Sequence, residues 1–323
     1  MTGVSGNVYT LAIGKQTAKG VPQTTPTYKL KVTGGDISPN RQEIQLNETD
    51  ATRQQGKTLI VGSGIAGSPD FYVRPDDFGL LAYGLLGANA NSGTAVNYIH
   101  TATMINSGSL PYFTIYKAIG NTVLVDRYSD CVIQSMKVSG QAGGALSVSC
   151  EIAGLSALLG QTDPVLAVVS QDPLVYPQVI VQKGGQTPGQ CESFEININN
   201  NAGPLNGDNS LTPYDIVPGQ LDVSGTMTML FNDDTDYRAF HTGTTTGTAL
   251  GTTLFTQPLT IIAQSTANLL CQFRFANVAY TAYPVAPDPG GAPIKVAIGW
   301  RVMPDPVLAN YCEITTKNAV ATY

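Results

Sequence analysis

The chain reads as one β-rich pattern written twice. In the first half, Asp70-Phe71-Tyr72-Val73 runs into Pro75-Asp76-Asp77 and then Phe78-Gly79-Leu80-Leu81-Ala82-Tyr83. In the second, Met227-Thr228-Met229-Leu230-Phe231 runs into Asn232-Asp233-Asp234 and then Thr235-Asp236-Tyr237-Arg238-Ala239-Phe240. Each copy is a strand leading into one short helix, and glycine- and threonine-rich sequence follows both. Recurrence of this order constrains the fold more than any single residue. A duplicated unit offers two similar surfaces at regular spacing, which suits a ring and is unusual in a small catalyst.

Strands dominate the rest. Tyr28-Lys29-Leu30-Lys31-Val32 alternates apolar and polar, and so do Leu146 to Ile152, Phe194 to Ile198 and Ile294 to Trp300. That period of two marks half-buried strands. Further strands are expected at Val8–Ala12, Tyr112–Lys117, Thr122–Val125, Cys131–Ser139, Val223–Phe231, Pro258–Ala263, Gln272–Ala279 and Tyr311–Thr315. Gln141-Ala142-Gly143-Gly144 reads as a hairpin turn. Pro75 with Asp76 and Asp77 opens the first helix, and Gly87 ends it. Gly79 and Gly84 cost that helix about 1 kcal/mol each, so it depends on packing, or the glycines mark close backbone approach. Gly14 to Pro26 reads as a polar surface arm. Asp50 to Ser68 reads as a long loop or extended hairpin. The expected organisation is a first unit over 1–160, a linker over 161–180 with prolines at 164, 173 and 177, and a second unit over 181–323.

Charge narrows the function. Only 12% of the residues are charged, so such a surface loses little hydration when it meets another copy. The net charge is -6 and no Lys/Arg cluster exists, which excludes tight nucleic-acid binding and permits a surface that repels phosphate. The five cysteines form no metal or redox spacing, and their odd number argues against a complete disulfide framework; they read as buried thiols. Residues 1–7 lack a signal-peptide pattern, and no apolar run reaches 18 residues, so assembly in a cytoplasm without membrane insertion is expected.

Tyr9-Thr10-Leu11-Ala12-Ile13-Gly14-Lys15-Gln16-Thr17-Ala18-Lys19-Gly20-Val21-Pro22 resembles the opening of tail tube proteins from long-tailed (siphovirus-like) bacteriophages. Ile37-Ser38-Pro39-Asn40-Arg41, Asn47-Glu48-Thr49, the Cys131–Gly154 hairpin and Gly225-Thr226-Met227-Thr228-Met229 continue the similarity. The resemblance implies a mainly β fold of two tandem β-sandwich units, each flanked by one short α-helix, with inner sheets joining into a ring-wide β-barrel. It implies a ring of three two-unit chains with pseudo-sixfold symmetry, or of six, stacked into a tube in the virion tail. Viral DNA would pass through without specific binding. A tail terminator, a baseplate or tip, and a tape measure protein would adjoin. Glu151, Glu195 and Asp222, on polar faces of expected strands, are the candidate channel-lining residues. Lys15, Lys19, Arg53, Lys57 and Ile60 are the candidate inter-ring contacts.

Rival chemistry is thin. A tail terminator or a decoration or adhesion module is the alternative, with Tyr112, Tyr116, Tyr280 and Tyr283 as sugar-stacking candidates if exposed. His100 and His241 read as unrelated surface residues. No zinc spacing, phosphate loop, calcium loop or nucleophile elbow is present, and no defensible carboxylate pair for a glycosidase. The expectation is a structural protein without cofactor or metal.

Overall fold

The computed structural model describes residues 6, 8–48, 56–106, 108–120, 123–187, 190–287, 289–304 and 312–323. The strands of the first half are β1 (Tyr9–Lys15), β2 (Tyr28–Gly34), β3 (Ile37–Gln45), β4 (Thr58–Gly67), β5 (Asp70–Tyr72), β6 (Gly87–Thr94), β7 (Asn97–Met104), β8 (Phe113–Ile119), β9 (Leu124–Gln141), β10 (Ser147–Gly154) and β11 (Ser156–Leu158). Those of the second are β12 (Val179–Lys183), β13 (Cys191–Asn199), β14 (Gly203–Leu205), β15 (Asp215–Val217), β16 (Asp222–Leu230), β17 (Thr256–Thr266), β18 (Leu269–Ala282), β19 (Lys295–Val302) and β20 (Cys312–Asn318). Helix α1 (Pro75–Leu86) follows β5, and α2 (Thr235–Thr242) follows β16.

Six strands close into a barrel. β1 pairs with β2, β2 with β5, β5 with β10, β10 with β9, β9 with β8, and β8 with β1 again, all antiparallel. Leu11, Ile13, Leu30, Phe71, Phe113, Ile115 and Tyr128 are buried on these strands and share one core. A later series, β12–β17–β18–β19–β16–β13, is paired in the order β1–β8–β9–β10–β5–β2. Even the irregularities coincide. The shift at Val32/Gly34 matches that at Cys191/Ser193. The shift at Phe113/Ile115 matches Gln257/Leu259, and that opposite Ile152 matches Tyr280/Ala282. Bulges re-aim a strand and are specific features of it, so three coincidences are informative. Among the described residues this later series has no β12–β13 ladder; β13 pairs with β9 instead.

Among the described residues, two strand ladders tie the halves. One is the β9–β13 ladder. The other is β20, which pairs with β18 on one edge and with β7 on the other. Residues 161–175 run along the first half: Val169 N–H donates to the Lys29 carbonyl (3.0 Å) and Leu174 N–H to that of Val73 (2.9 Å).

Helix α1 begins and ends where the sequence places it. Pro75 opens it, and Gly87, at φ 91°, caps it with an N–H to the Tyr83 carbonyl. It flanks the strands, as expected, and is buried against them nearly all round. That explains its glycines. A Cβ on Gly84 would stand 2.7 Å from the Phe113 ring, and one on Gly79 would stand 2.3 Å from the Tyr323 ring. The Asn200 amide donates to the Leu85 carbonyl (2.6 Å), one of the carbonyls a helix end leaves unpaired. Helix α2 is shallower, burying only Ala239. Asp233 accepts the Thr235 N–H (2.9 Å) and Asp234 pairs with Arg238 (2.6 Å), as a helix start favours.

Other expectations need correction. The strands expected at Thr122–Val125 and Cys131–Ser139 are one, β9; Thr122 lies outside the described residues. The Arg127–Asp130 stretch between them stays in the strand through a bulge: Asp130 takes a left-handed φ of 54° and the register opposite Phe113 and Ile115 shifts there. Gly14 to Pro26 does run on the surface, with Thr17, Ala18, Gly20, Val21, Thr24 and Thr25 exposed, and it is tied down there: Gln16 N–H donates to the Tyr112 carbonyl (2.8 Å) and Gly20 N–H to the Asp130 carboxylate (2.7 Å). His100 is buried, not a surface residue. Its ring bonds Asn91 (2.7 Å) and the Val320 carbonyl (2.8 Å), and burial lowers its pKa. His241 packs beside Tyr237 and Phe240.

Asp77 gives the fold a pH signature. Burial pushes its carboxyl up to about 7, against which Arg74 and the helix N–H groups pull only partly. Between pH 4 and 7 the folded chain keeps a proton that the unfolded chain releases. Stability therefore falls as pH rises through that window and is level above it. Asp77→Asn keeps an acceptor and does not titrate. Urea unfolding of both chains should show the variant gaining on the native chain by on the order of 2–4 kcal/mol between pH 4 and pH 8. A constant difference would rule the buried carboxyl out.

Candidate functional site

The conspicuous surface is one face of a sheet that crosses the whole chain. Its successive positions are β2/β3, β4/β5, β10, β9, β13, β16, β19 and β18, eight in all. Residues paired across an antiparallel sheet share a face. Three rows follow from the registers. Glu151, Ser135, Asn199 and Asp222 form one, and Ser149, Lys137, Asn197, Ser224 and Arg301 the next. Ser147, Ser139, Glu195, Thr226 and Gly299 form the third. Between them, pointing the other way, Val148, Val138, Ile196 and Trp300 are buried, as are Cys150, Met136, Ile198 and Val223. Gly225 lies under the Trp300 ring, where a Cβ would come within 2.4 Å. The sheet is thus two-faced, with apolar side chains on the core side and mainly hydroxyl, amide and charged groups on the other, where Tyr72 and Leu230 are the exposed apolar exceptions.

All three carboxylates singled out from the sequence lie on this polar face. The sequence does not reveal their partners. Glu195 pairs with Lys137 (2.7 Å) and Asp222 with Arg301 (2.9 Å), while Glu151 accepts from the Ser135 hydroxyl (2.9 Å). Partial burial works to raise the Glu195 carboxyl, but Lys137 and Asn197 outweigh it and hold it below the usual carboxylate range. Lys295 adds a pair with Glu192 (2.8 Å). The face is therefore a lattice of serine, threonine and asparagine in which two of the three carboxylates are neutralised and Glu151 keeps its charge. It is less acidic than the chain's net charge suggests.

The other candidates separate. Lys15 lies over the Tyr83 ring (4.6 Å), and Lys19 over the Tyr214 ring (4.2 Å) while pairing with Asp215 (3.3 Å). Both are engaged within the chain. Arg53 lies outside the described residues, as do residues 49–55 as a whole. Lys57 and Ile60 are exposed on the β3–β4 hairpin, where Ile44, Leu59 and Val61 are also exposed. That hairpin is what the Asp50–Ser68 stretch contributes to. Its base meets the 204–216 segment, with Ser63 N–H donating to the Leu211 carbonyl (2.7 Å).

The tyrosines considered for sugar stacking are packed away: Tyr112, Tyr116, Tyr280 and Tyr283 are all buried. Four of the cysteines are buried and Cys191 is half-buried, all as free thiols. Burial pushes the Cys312 thiol up to about 12. Among the described residues no cluster of His, Cys, Asp and Glu could hold a metal ion, and no helix is long and apolar enough to cross a membrane.

A family model described as phage tail tube protein matches residues 6–302. No curated protein matches the chain.

Proposed function

Because the chain belongs to the phage tail tube protein family, we propose that its polar sheet face lines the bore of a ring built from several copies. Its function is structural: it is a subunit of a self-assembling viral tail tube, located in the virion tail, and not a catalyst. In the proposed architecture, residues 1–160 and 181–323 are two tandem tube units joined by 161–180. The shared strand order and the three matching bulges support this.

The observation that carries the reading is the two-faced, eight-position sheet. Eight strands closed on themselves leave an interior just filled by side chains, so one copy makes no channel. Three copies supply three such sheets, and a barrel of that many strands is roughly 50 Å across at the backbone. Its inner surface would carry Glu195 and Asp222 paired with Lys137 and Arg301, and Glu151 held by the Ser135 hydroxyl. A neutral hydroxyl lattice offers a passing duplex no cationic grip, which a moving polymer requires. The exposed apolar residues of the β3–β4 hairpin, with Lys57 and Ile60, are the proposed contact to the next ring. Lys15 and Lys19 would act there only indirectly, by fixing the segment that carries them. The end partners are a terminator, a tip or baseplate and a tape measure protein, and assembly takes place in the host cytoplasm.

Electron microscopy with mass measurement on the purified chain at high concentration tests the reading. Hollow rings of three chains with pseudo-sixfold modulation are expected. Monomers alone at every concentration, or rings whose bore is lined by another face, would overturn it.

A further inference from the structure

The two ends of the eight-position sheet are its unexplained features. We infer that the Gly34–Asn40 edge of one copy takes the Ala282–Pro287 segment of the next copy. The register would be the one in which Ser193–Asn199 takes Ser135–Gln141 within one chain. This rests on the reading of the chain as a ring subunit and specifies how that ring closes.

The correspondence comes from pairing registers. Ile37, Ser38, Pro39 and Asn40 stand opposite Gly67, Ala66, Ile65 and Gly64. Ile196, Asn197, Ile198 and Asn199 stand opposite Gly225, Ser224, Val223 and Asp222. Gly67 in turn faces Ile152, and Gly225 faces Trp300. The 34–40 and 193–199 segments therefore occupy the same place, each beyond the same bulge. One differs from the other in what lies on its outer side. Ser193–Asn199 is covered by β9, and Ile198 is 1% exposed. No strand is paired on the outer side of Ser38–Asn40 among the described residues, and Ser38, Pro39 and Asn40 are exposed.

The matching cover is found at the far end of the same sheet. Ile133 and Ser135 face Ile152 and Glu151, while Tyr280 and Ala282 face Trp300 and Gly299. Ser135 thus corresponds to Ala282, Lys137 to Pro284 and Gly140 to Pro287. Within one copy the two ends are seven strand spacings apart, roughly 34 Å along the sheet, so the cover must come from another copy. Transferring the β9–β13 register places Asn40 opposite Ala282, Ser38 opposite Pro284 and Ile37 opposite Val285.

The two seams are not equal. Asn200 N–H donates to the Gln134 carbonyl and Ala142 N–H to that of Glu192, both at 2.9 Å, so even-numbered residues bond across the seam within the chain. The corresponding residues between chains include Pro39 and Pro287, which have no N–H to give. The Ile37 carbonyl is already held by the Lys117 ammonium (3.0 Å), which also pairs with Asp36 (2.6 Å). Proline and an occupied carbonyl blunt an edge against indiscriminate pairing. A closed ring would then alternate complete seams inside chains with weaker ones between them.

Cysteine pairing in the full-length chain tests this. Ser38→Cys with Pro284→Cys, and separately Asn40→Cys with Ala282→Cys, occupy non-hydrogen-bonded pairs, where side chains come closest. Asn40→Cys with Ala286→Cys is shifted by four positions, about 13 Å, and is the control. Each variant is assembled under reducing conditions, imaged, then oxidised and run on a denaturing gel beside the single variants. The expected result is rings in all, and a covalent ladder ending at the ring's copy number from the two in-register pairs only. Rings without that ladder, or a ladder from the shifted pair alone, overturn the register while leaving the ring subunit intact. Loss of assembly in both in-register pairs also counts against it, since neither side chain bonds across the proposed seam. Absence of rings in the unsubstituted chain instead overturns the function from which the inference starts.

Discussion

Replacing Tyr323 with alanine should lower the unfolding free energy by about 3 kcal/mol, the lower end for a large aromatic because the ring is only partly buried. The ring is wedged against Gly79 of α1, lies 4.3 Å from the His100 ring and tilts against Tyr28. Its hydroxyl donates toward the carbonyls of Asp76 (3.1 Å) and Pro75 (3.3 Å), and Asn318 reaches the same Pro75 carbonyl (2.6 Å). Removing the ring therefore opens a cavity beside a helix that can relax only by moving away from β20. Tyr323→Phe keeps the volume and should cost only about 1 kcal/mol, the net value of a hydrogen bond. Urea unfolding at pH 7 measures both. An alanine variant within 1 kcal/mol of the native chain would show that the site collapses without penalty.

The second large effect concerns passage of DNA. Thr226→Lys with Ala297→Lys adds two cations per chain on the exposed, polar side of β16 and β19. In a ring of three chains, that puts six lysines in each layer of the bore. Contacts with six or more phosphates change affinity by on the order of 10³-fold between 50 and 200 mM salt. Virions carrying this tube should therefore assemble, stall during ejection at low salt and recover as salt is raised. Thr226→Asn with Ala297→Ser, neutral at the same positions, should eject normally. DNA released from purified virions, followed against sodium chloride concentration, gives the readout. Salt-independent ejection from the lysine tube would remove the polar sheet face from the bore.

Local physics made part of this legible in sequence. Helix α1 was readable from Pro75, the two aspartates and Gly87, and β10 from its strict alternation. The pairing of β9 with β13 was not, because each strand reads the same whatever lies beside it. Strand β6 carries glycine, asparagine and threonine without an apolar stripe, and β14 and β15 are three residues each, too short to show a period. His100 looked superficial because its partners are 9 and 220 residues away in the chain. The three carboxylates could be assigned to polar strand faces one by one. Their common face, and the lysine and arginine that neutralise two of them, depend on cross-strand neighbours that no single segment contains.

The placement of β20 has a mechanical consequence. Zipped to β7 on one side and to β18 on the other, it makes the two halves of a polypeptide resist rotating against each other. Flexural strain in a long filament of such subunits has to be absorbed where separate molecules meet. Stiffness would then be set by contacts that dissociate, and bending by many small slips would spare the covalent frame.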